Sequence, residues 1–210
     1  MDKLDTVYRL VKQKYNINKE DVVGCYLFGS RVYGTNDYNS DYDYILITNK
    51  NVNNQEIKHK IVNIHIYTVE HFQNLLDEHK IKQLEVFFKN KEELTNKGFK
   101  FSLDLIKLRE EISSVSNNSW VKCKKKLTVE EDEYFIGVKS LFHSLRILDF
   151  GSQIAEYGEI TNYSYSNDIW DNIKDKKWDK EQYNWEYFNT FYKKIYNSKK
   201  SYFKKLAPKV

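Results

Sequence analysis

The chain has 210 residues, 40% hydrophobic and 16% aromatic, which is enough for a packed core and excludes a disordered chain. Its net charge of +4 is mild, so total charge alone marks neither a nucleic-acid-binding nor a membrane-surface protein. Cys25 and Cys123 show neither metal-ligand spacing nor a disulfide framework, and no apolar run approaches the ~18 residues of a membrane span, so a cytoplasmic protein without a membrane partner is expected.

Leu4, Val7, Leu10 and Val11 recur at helical spacing behind Asp2, a capping residue, and predict an opening amphipathic helix over 3–15. Residues 22–28 and 44–48 are rich in β-branched and aromatic side chains and read as strands, with a Gly-, Asn- and Asp-rich loop between them. Residues 49–56 read as a polar connection, and the alternation of Val62, Ile64 and Ile66 with Asn63, His65 and Tyr67 as a third strand. Thr68 can cap a helix through Phe72, Leu75 and Leu76, followed by a short apolar segment at 84–88. From residue 101 the period is helical throughout. Ser102 is the expected cap of one helix, and the capping box from Thr128 to Glu131 the expected start of a long one ending at Gly158. A last helix carries Phe188, Tyr192, Ile195, Tyr202 and Leu206 as its apolar stripe. The fold class is therefore α+β, a small mixed sheet with flanking helices over residues 1–95 and an all-helical part over 96–210.

The chemistry concentrates at residues 29–43. Gly29 leaves the backbone open to a phosphate, Ser30 adds a hydroxyl and an N–H, and after ten intervening residues Asp41 and Asp43 stand at i and i+2 on a strand, so both carboxylates face one way. Paired carboxylates suit Mg²⁺ or Mn²⁺, and a metal beside a phosphate loop is the equipment of phosphoryl transfer. Arg31 and Ser40 are further candidates for phosphate contact. On the long helix Lys139, His143 and Arg146 share one face, fit either to grip a triphosphate or to serve as an ordinary polar face with a core histidine.

The stretch LFGSRVYGTNDYNSDYDYILI resembles the DNA polymerase beta nucleotidyltransferase superfamily, whose signature is a Gly-Ser after one strand and an Asp-x-Asp on the next. Within it, GSRVYGT, SDYDY, IHIYTVEHF, LEVFF, KSLFHSLRILDFGSQIAEYGEITNY and SNDIWDNI are similar to the predicted nucleotidyltransferases of large phages and of bacterial RNA-ligase neighbourhoods. The resemblance covers most of residues 22–174. It implies transfer of a nucleoside monophosphate from an NTP to a hydroxyl, with Asp41 and Asp43 as catalytic metal ligands and Gly29, Ser30, Arg31, Ser40, Lys139, His143 and Arg146 on the nucleotide. It also implies a third carboxylate on the neighbouring strand, where this chain has Asn63 and His65, with Glu85 as a replacement. If none serves, the fold becomes a nucleotide- or nucleic-acid-binding module. RNA is the preferred acceptor. Its landing place would be the seven lysines of 193–210 and the cluster Lys122, Lys124, Lys125 and Lys126, unless these are solvated helix faces.

Overall fold

The computed structural model describes residues 2–52, 54–129, 133–176, 179 and 182–209. The chain separates into two compact units, Met1–Ser102 and Leu103–Val210.

The first unit opens with α1 (Lys3–Tyr15), capped by the Asp2 side chain, which accepts from the Leu4 N–H at 3.2 Å, and ended by Asn16 in the left-handed region. Its strands are β1 (Val22–Phe28), β2 (Tyr42–Thr48), β3 (Gln55–His59) and β4 (Val62–Thr68), in sheet order β1-β2-β4-β3. β2 runs antiparallel to β1 and parallel to β4, while β3 and β4 pair antiparallel, so the sheet is mixed. β3 lies where the sequence suggests only a connection. Ile57 is its one buried residue, and a lone inward apolar side chain gives almost no alternation to read. The back face of the sheet, including Tyr44, Leu46, Ile57, Ile64 and Ile66, packs on Val7, Leu10 and Val11 of α1.

Thr68 caps α3 (Val69–Asp77), accepting from the His71 N–H at 3.1 Å. The apolar run at 84–88 belongs to a helix, α4 (Ile81–Lys89), whose residues are buried nearly all round. A segment buried on every side loses its helical period and cannot be told from a buried strand by pattern. The short α5 (Lys91–Asn96) completes this unit's elements among the described residues.

In the second unit α6 (Leu105–Thr128) is capped by Asp104 rather than Ser102, its carboxylate accepting from the Ile106 and Lys107 N–H groups at 2.9 and 3.1 Å. Thr128 ends this helix instead of starting the next. Its hydroxyl bonds back to the Lys124 carbonyl at 2.8 Å, and the Glu130–Glu131 half of the expected capping box lies outside the described residues. The long helix is α7 (Tyr134–Tyr157), and Gly158 closes it at φ 76°. After α8 (Asn167–Ile173) comes α9 (Trp185–Leu206), which buries Phe188, Tyr196 and Phe203 while Ile195 and Tyr202 stay exposed, a different stripe from the expected one. Trp120 of α6 meets Tyr196 and Trp185 with ring centroids at 4.5 and 5.7 Å. Among the described residues, no helix is long and apolar enough to cross a membrane.

Gly151 sets the closeness of this packing. A Cβ there would lie 2.7 Å from the Ile112 Cγ2 of α6 and 3.0 Å from the Phe203 ring of α9. Gly151→Val should therefore lower stability by about 1–3 kcal/mol through overpacking, read as a shift in the denaturant midpoint with unchanged slope.

Candidate active site

β1 runs out at Phe28 and the chain turns at Gly29, with φ 80° and ψ −154°, a conformation open essentially to glycine alone. A Cβ at Gly29 would also lie 2.9 Å from the Asp43 Oδ2, so the missing side chain admits both the turn and the carboxylate beside it. Ser30 begins the one-turn helix α2 (Ser30–Tyr33), whose leading N–H groups have no acceptor within the helix. Tyr33 ends it and donates its hydroxyl to the buried Glu85 of α4.

Asp43 is paired across the sheet with Phe28 on one side and Asn63 on the other. Asp41 stands two residues earlier, at the mouth of β2. The Asn63 side-chain amide donates to both, at 3.2 Å to Asp41 Oδ2 and 3.0 Å to Asp43 Oδ1, so the two carboxylates and Asn63 converge. Arg31 and Ser40 take part in building the loop. Arg31 donates from Nε to the Asp41 carbonyl at 3.1 Å and from an Nη to the Ser40 carbonyl at 2.6 Å, and its guanidinium lies 3.6 Å from the Tyr42 ring centroid. The Ser40 hydroxyl donates to Asp37 Oδ1 at 3.0 Å and accepts from the Asp37 N–H at 2.8 Å.

Carboxylate oxygens are ligands suited to a hard divalent ion, and Asp41 and Asp43, gathered by the Asn63 amide that donates to both, are the residues that would hold one. Among the described residues no three His, Cys, Asp or Glu side chains gather as a metal site. Asn63 occupies the place expected for the third carboxylate. His65 shares its face of β4 but sits beside Glu56 of β3, Nε2 to Oε1 3.8 Å, and burial holds its pKa below the ordinary value, with Lys82 adding to the effect. Glu85 is on α4, and its carboxylate takes the Tyr33 hydroxyl. Glu56 and Lys82 are neighbours of the site that the sequence did not announce, because β3 and the helical phase of α4 were not legible.

Lys139, His143 and Arg146 all lie on α7 in the second unit. Lys139 is exposed, whereas Arg146 is buried with its guanidinium 5.3 and 5.6 Å from the Phe142 and Phe150 ring centroids. An Arg Nη donates to His143 Nδ1 at 2.8 Å, and since arginine has no acceptor the imidazole accepts there. Burial pushes the His143 pKa down to about 3, with Arg146, Lys122 and Lys139 adding to it. The lysine clusters are partly committed. Lys199 holds both Asp149 oxygens at 2.7 Å, Lys126 pairs with Glu133, and Lys193 lies 5.0 Å from the Trp120 ring centroid.

Two outcomes follow from this geometry. Asn63→Asp replaces a bridging donor by a third converging carboxylate, so without divalent ions it should lower stability by about 1–3 kcal/mol, and Mg²⁺ should restore it, as followed by thermal unfolding with and without the ion. Neutral His143 binds fewer protons in the folded than in the unfolded state. Its contribution is therefore complete above about pH 6.5 and is lost as pH falls from there toward 3. Urea unfolding across that window should show His143→Gln losing less stability than the wild type.

A loop of Gly and Ser at a strand end, two aspartates on the adjacent strand and a parallel partner strand form a constellation that can be compared with known proteins. No curated protein matches the chain significantly. The family model described as "Nucleotidyltransferase domain" matches residues 5–127, a span that includes the Gly29–Ser30 turn, both aspartates, Asn63 and nearly all of α6. With more than half of its length in that match, the chain belongs to the nucleotidyltransferase domain family of the polymerase beta-like superfamily.

Proposed function

We propose that the chain is a metal-dependent nucleotidyltransferase that moves a nucleoside monophosphate from an NTP to a hydroxyl, with RNA as the acceptor. The acceptor oxygen attacks the α-phosphorus, the bond to the bridging oxygen of the β-phosphate breaks, pyrophosphate leaves and the hydroxyl proton is released. The observation that carries the reading is the convergence of Asp41 and Asp43 beside the Gly29 turn, with Asp43 packed where only a glycine fits. A divalent ion held by the two aspartates would neutralise charge developing on the transferred phosphate. The Ser30 hydroxyl and the N–H groups opening α2 are donors suited to the phosphates, and Arg31 fixes the height of Asp41 against them by gripping its carbonyl. Lys139, His143 and Arg146, which share one face of α7, are assigned to nucleotide binding, Lys139 as the exposed cation of the three. The RNA assignment is supported by exposed Lys122, Lys124, Lys194, Lys204 and Lys205.

A second reading has its own observation. Asn63 carries no charge and cannot accept a proton, and a nucleotidyltransferase fold with one carboxylate fewer can bind nucleotide without turnover. Incubating the chain with each α-labelled NTP, Mg²⁺ or Mn²⁺ and a mixed RNA pool separates the two. Label transfer is expected, and Asp41→Ala and Asp43→Ala should each reduce it roughly a thousandfold or more, the equivalent of several kcal/mol of lost charge stabilisation. Absence of transfer with NTP binding intact favours the binding module, and wild-type rates in both variants refute the site.

A further inference from the structure

One cation reaches the carboxylate-bearing face from outside the sheet. Lys82, in the first turn of α4, is half-buried, and its Nζ lies 5.6 Å from the centroid of Phe28, the residue paired with Asp43. The Phe28 ring is in turn 5.6 Å from the His65 ring, so Lys82 is carried across to the same face as the aspartates and Asn63. Its field is set by three acids, Glu56, Glu85 and Asp43. Each of them has a nearer partner. Glu56 lies against His65 and Lys58, Glu85 takes the Tyr33 hydroxyl, and Asp43 accepts from Asn63. Lys82 itself forms no ion pair within 4.0 Å among the described residues. Burial holds its pKa below the ordinary lysine value against the pull of those acids.

A half-buried ammonium with no close counter-ion is costly unless something anionic arrives to meet it. The charge count of the site says what that is. Three carboxylates with two divalent ions would turn one net positive charge toward a phosphate chain. Two carboxylates with one divalent ion turn none, and adding the Lys82 ammonium restores it. We propose that Lys82 binds the phosphates of the NTP held at the Asp41–Asp43 pair and supplies there the positive charge that the neutral Asn63 would otherwise leave missing. This rests on the nucleotidyl-transfer reading of the site. It makes Lys82 a nucleotide-binding residue, and it gives the chain a way to hold a triphosphate on a single divalent ion.

The test is calorimetric titration of the full chain, wild type, Lys82→Met and Lys82→Arg, with the α,β-imido analogues of the four NTPs, in Mg²⁺ and in EDTA. Wild type should bind at least one analogue in Mg²⁺ and retain weaker binding in EDTA. Lys82→Met should bind it at least about tenfold more weakly in Mg²⁺ and lose it in EDTA, while Lys82→Arg stays within about threefold of wild type, as expected for a charge-assisted phosphate contact. A structural role beside Phe28 predicts a lowered melting temperature with unchanged affinity, and that result overturns the proposal while leaving the nucleotide reading in place. Wild type that binds none of the four overturns the nucleotide reading itself, and the proposal with it. Should Lys82→Met not fold, amine acetylation followed by mass spectrometry decides on the wild type. The bound analogue should slow modification of Lys82 and leave exposed Lys12 unchanged, and equal labelling of Lys82 with and without analogue sinks the assignment.

Discussion

The parallel pairing of β2 with β4 governs the first unit's chemistry, because it sets Asp43 directly beside Asn63 and repeats that match along seven residues. Side chains alternate across a sheet, so a slip of one residue would turn Asn63 to the back face and bring Val62 or Ile64 to the aspartates. What prevents the slip is the back face itself. Tyr44, Leu46, Val62, Ile64 and Ile66 are all buried there against α1, and a shifted register would expose that row to water. Each fully buried Ile or Leu is worth about 1.5–3 kcal/mol, so the alignment of polar groups on one face is enforced by apolar burial on the other.

Around this register the remaining parts are fastened by specific bonds. Gly29 allows the chain to turn within reach of Asp43, and the Tyr33 hydroxyl on the Glu85 carboxylate ties the short helix after the turn to α4. The same helix presents Lys82 to the sheet one turn before Glu85. A single helix thus steadies the Gly29 turn and delivers a cation, which links the packing of the front face to its electrostatics.

The parts of the structure legible in the sequence are those with a local physical cause. The Gly-Ser turn, the Asp-x-Asp strand, Asn63 on the polar face of the third predicted strand, the Thr68 cap and the Gly158 helix end each follow from a conformational or alternation rule that acts over a few residues. β3 failed because a strand at the sheet edge needs only one inward apolar residue, and α4 failed because complete burial erases periodicity. Thr128 failed for another reason. A threonine near a helix boundary serves either end, and its hydroxyl here returns to the preceding turn. Lys82 was invisible as a consequence of α4, since its approach to Phe28 exists only once the helix is folded onto the sheet. Arg31, a candidate for phosphate contact, also grips two carbonyls, a role no motif announces.

The grip of Arg31 also separates the loop into two mechanical parts. By bonding the carbonyls of Ser40 and Asp41 and stacking on Tyr42, it joins the first turn after β1 to the entrance of β2, so the path from Gly29 to Asp41 is closed by a side chain as well as by the main chain. Within the arch between, residues 32–39, Tyr33 is anchored on Glu85 and Asp37 on Ser40, and the exposed crest around them carries less of the load that positions the aspartates. Gly34 and residues 36–39 on it are exposed, and the entropic cost of closing a longer arch grows only with the logarithm of its length. Insertions and deletions can therefore accumulate at that crest with little displacement of Asp41, which makes it the point at which this architecture is free to change its surface while keeping the aspartate pair in place.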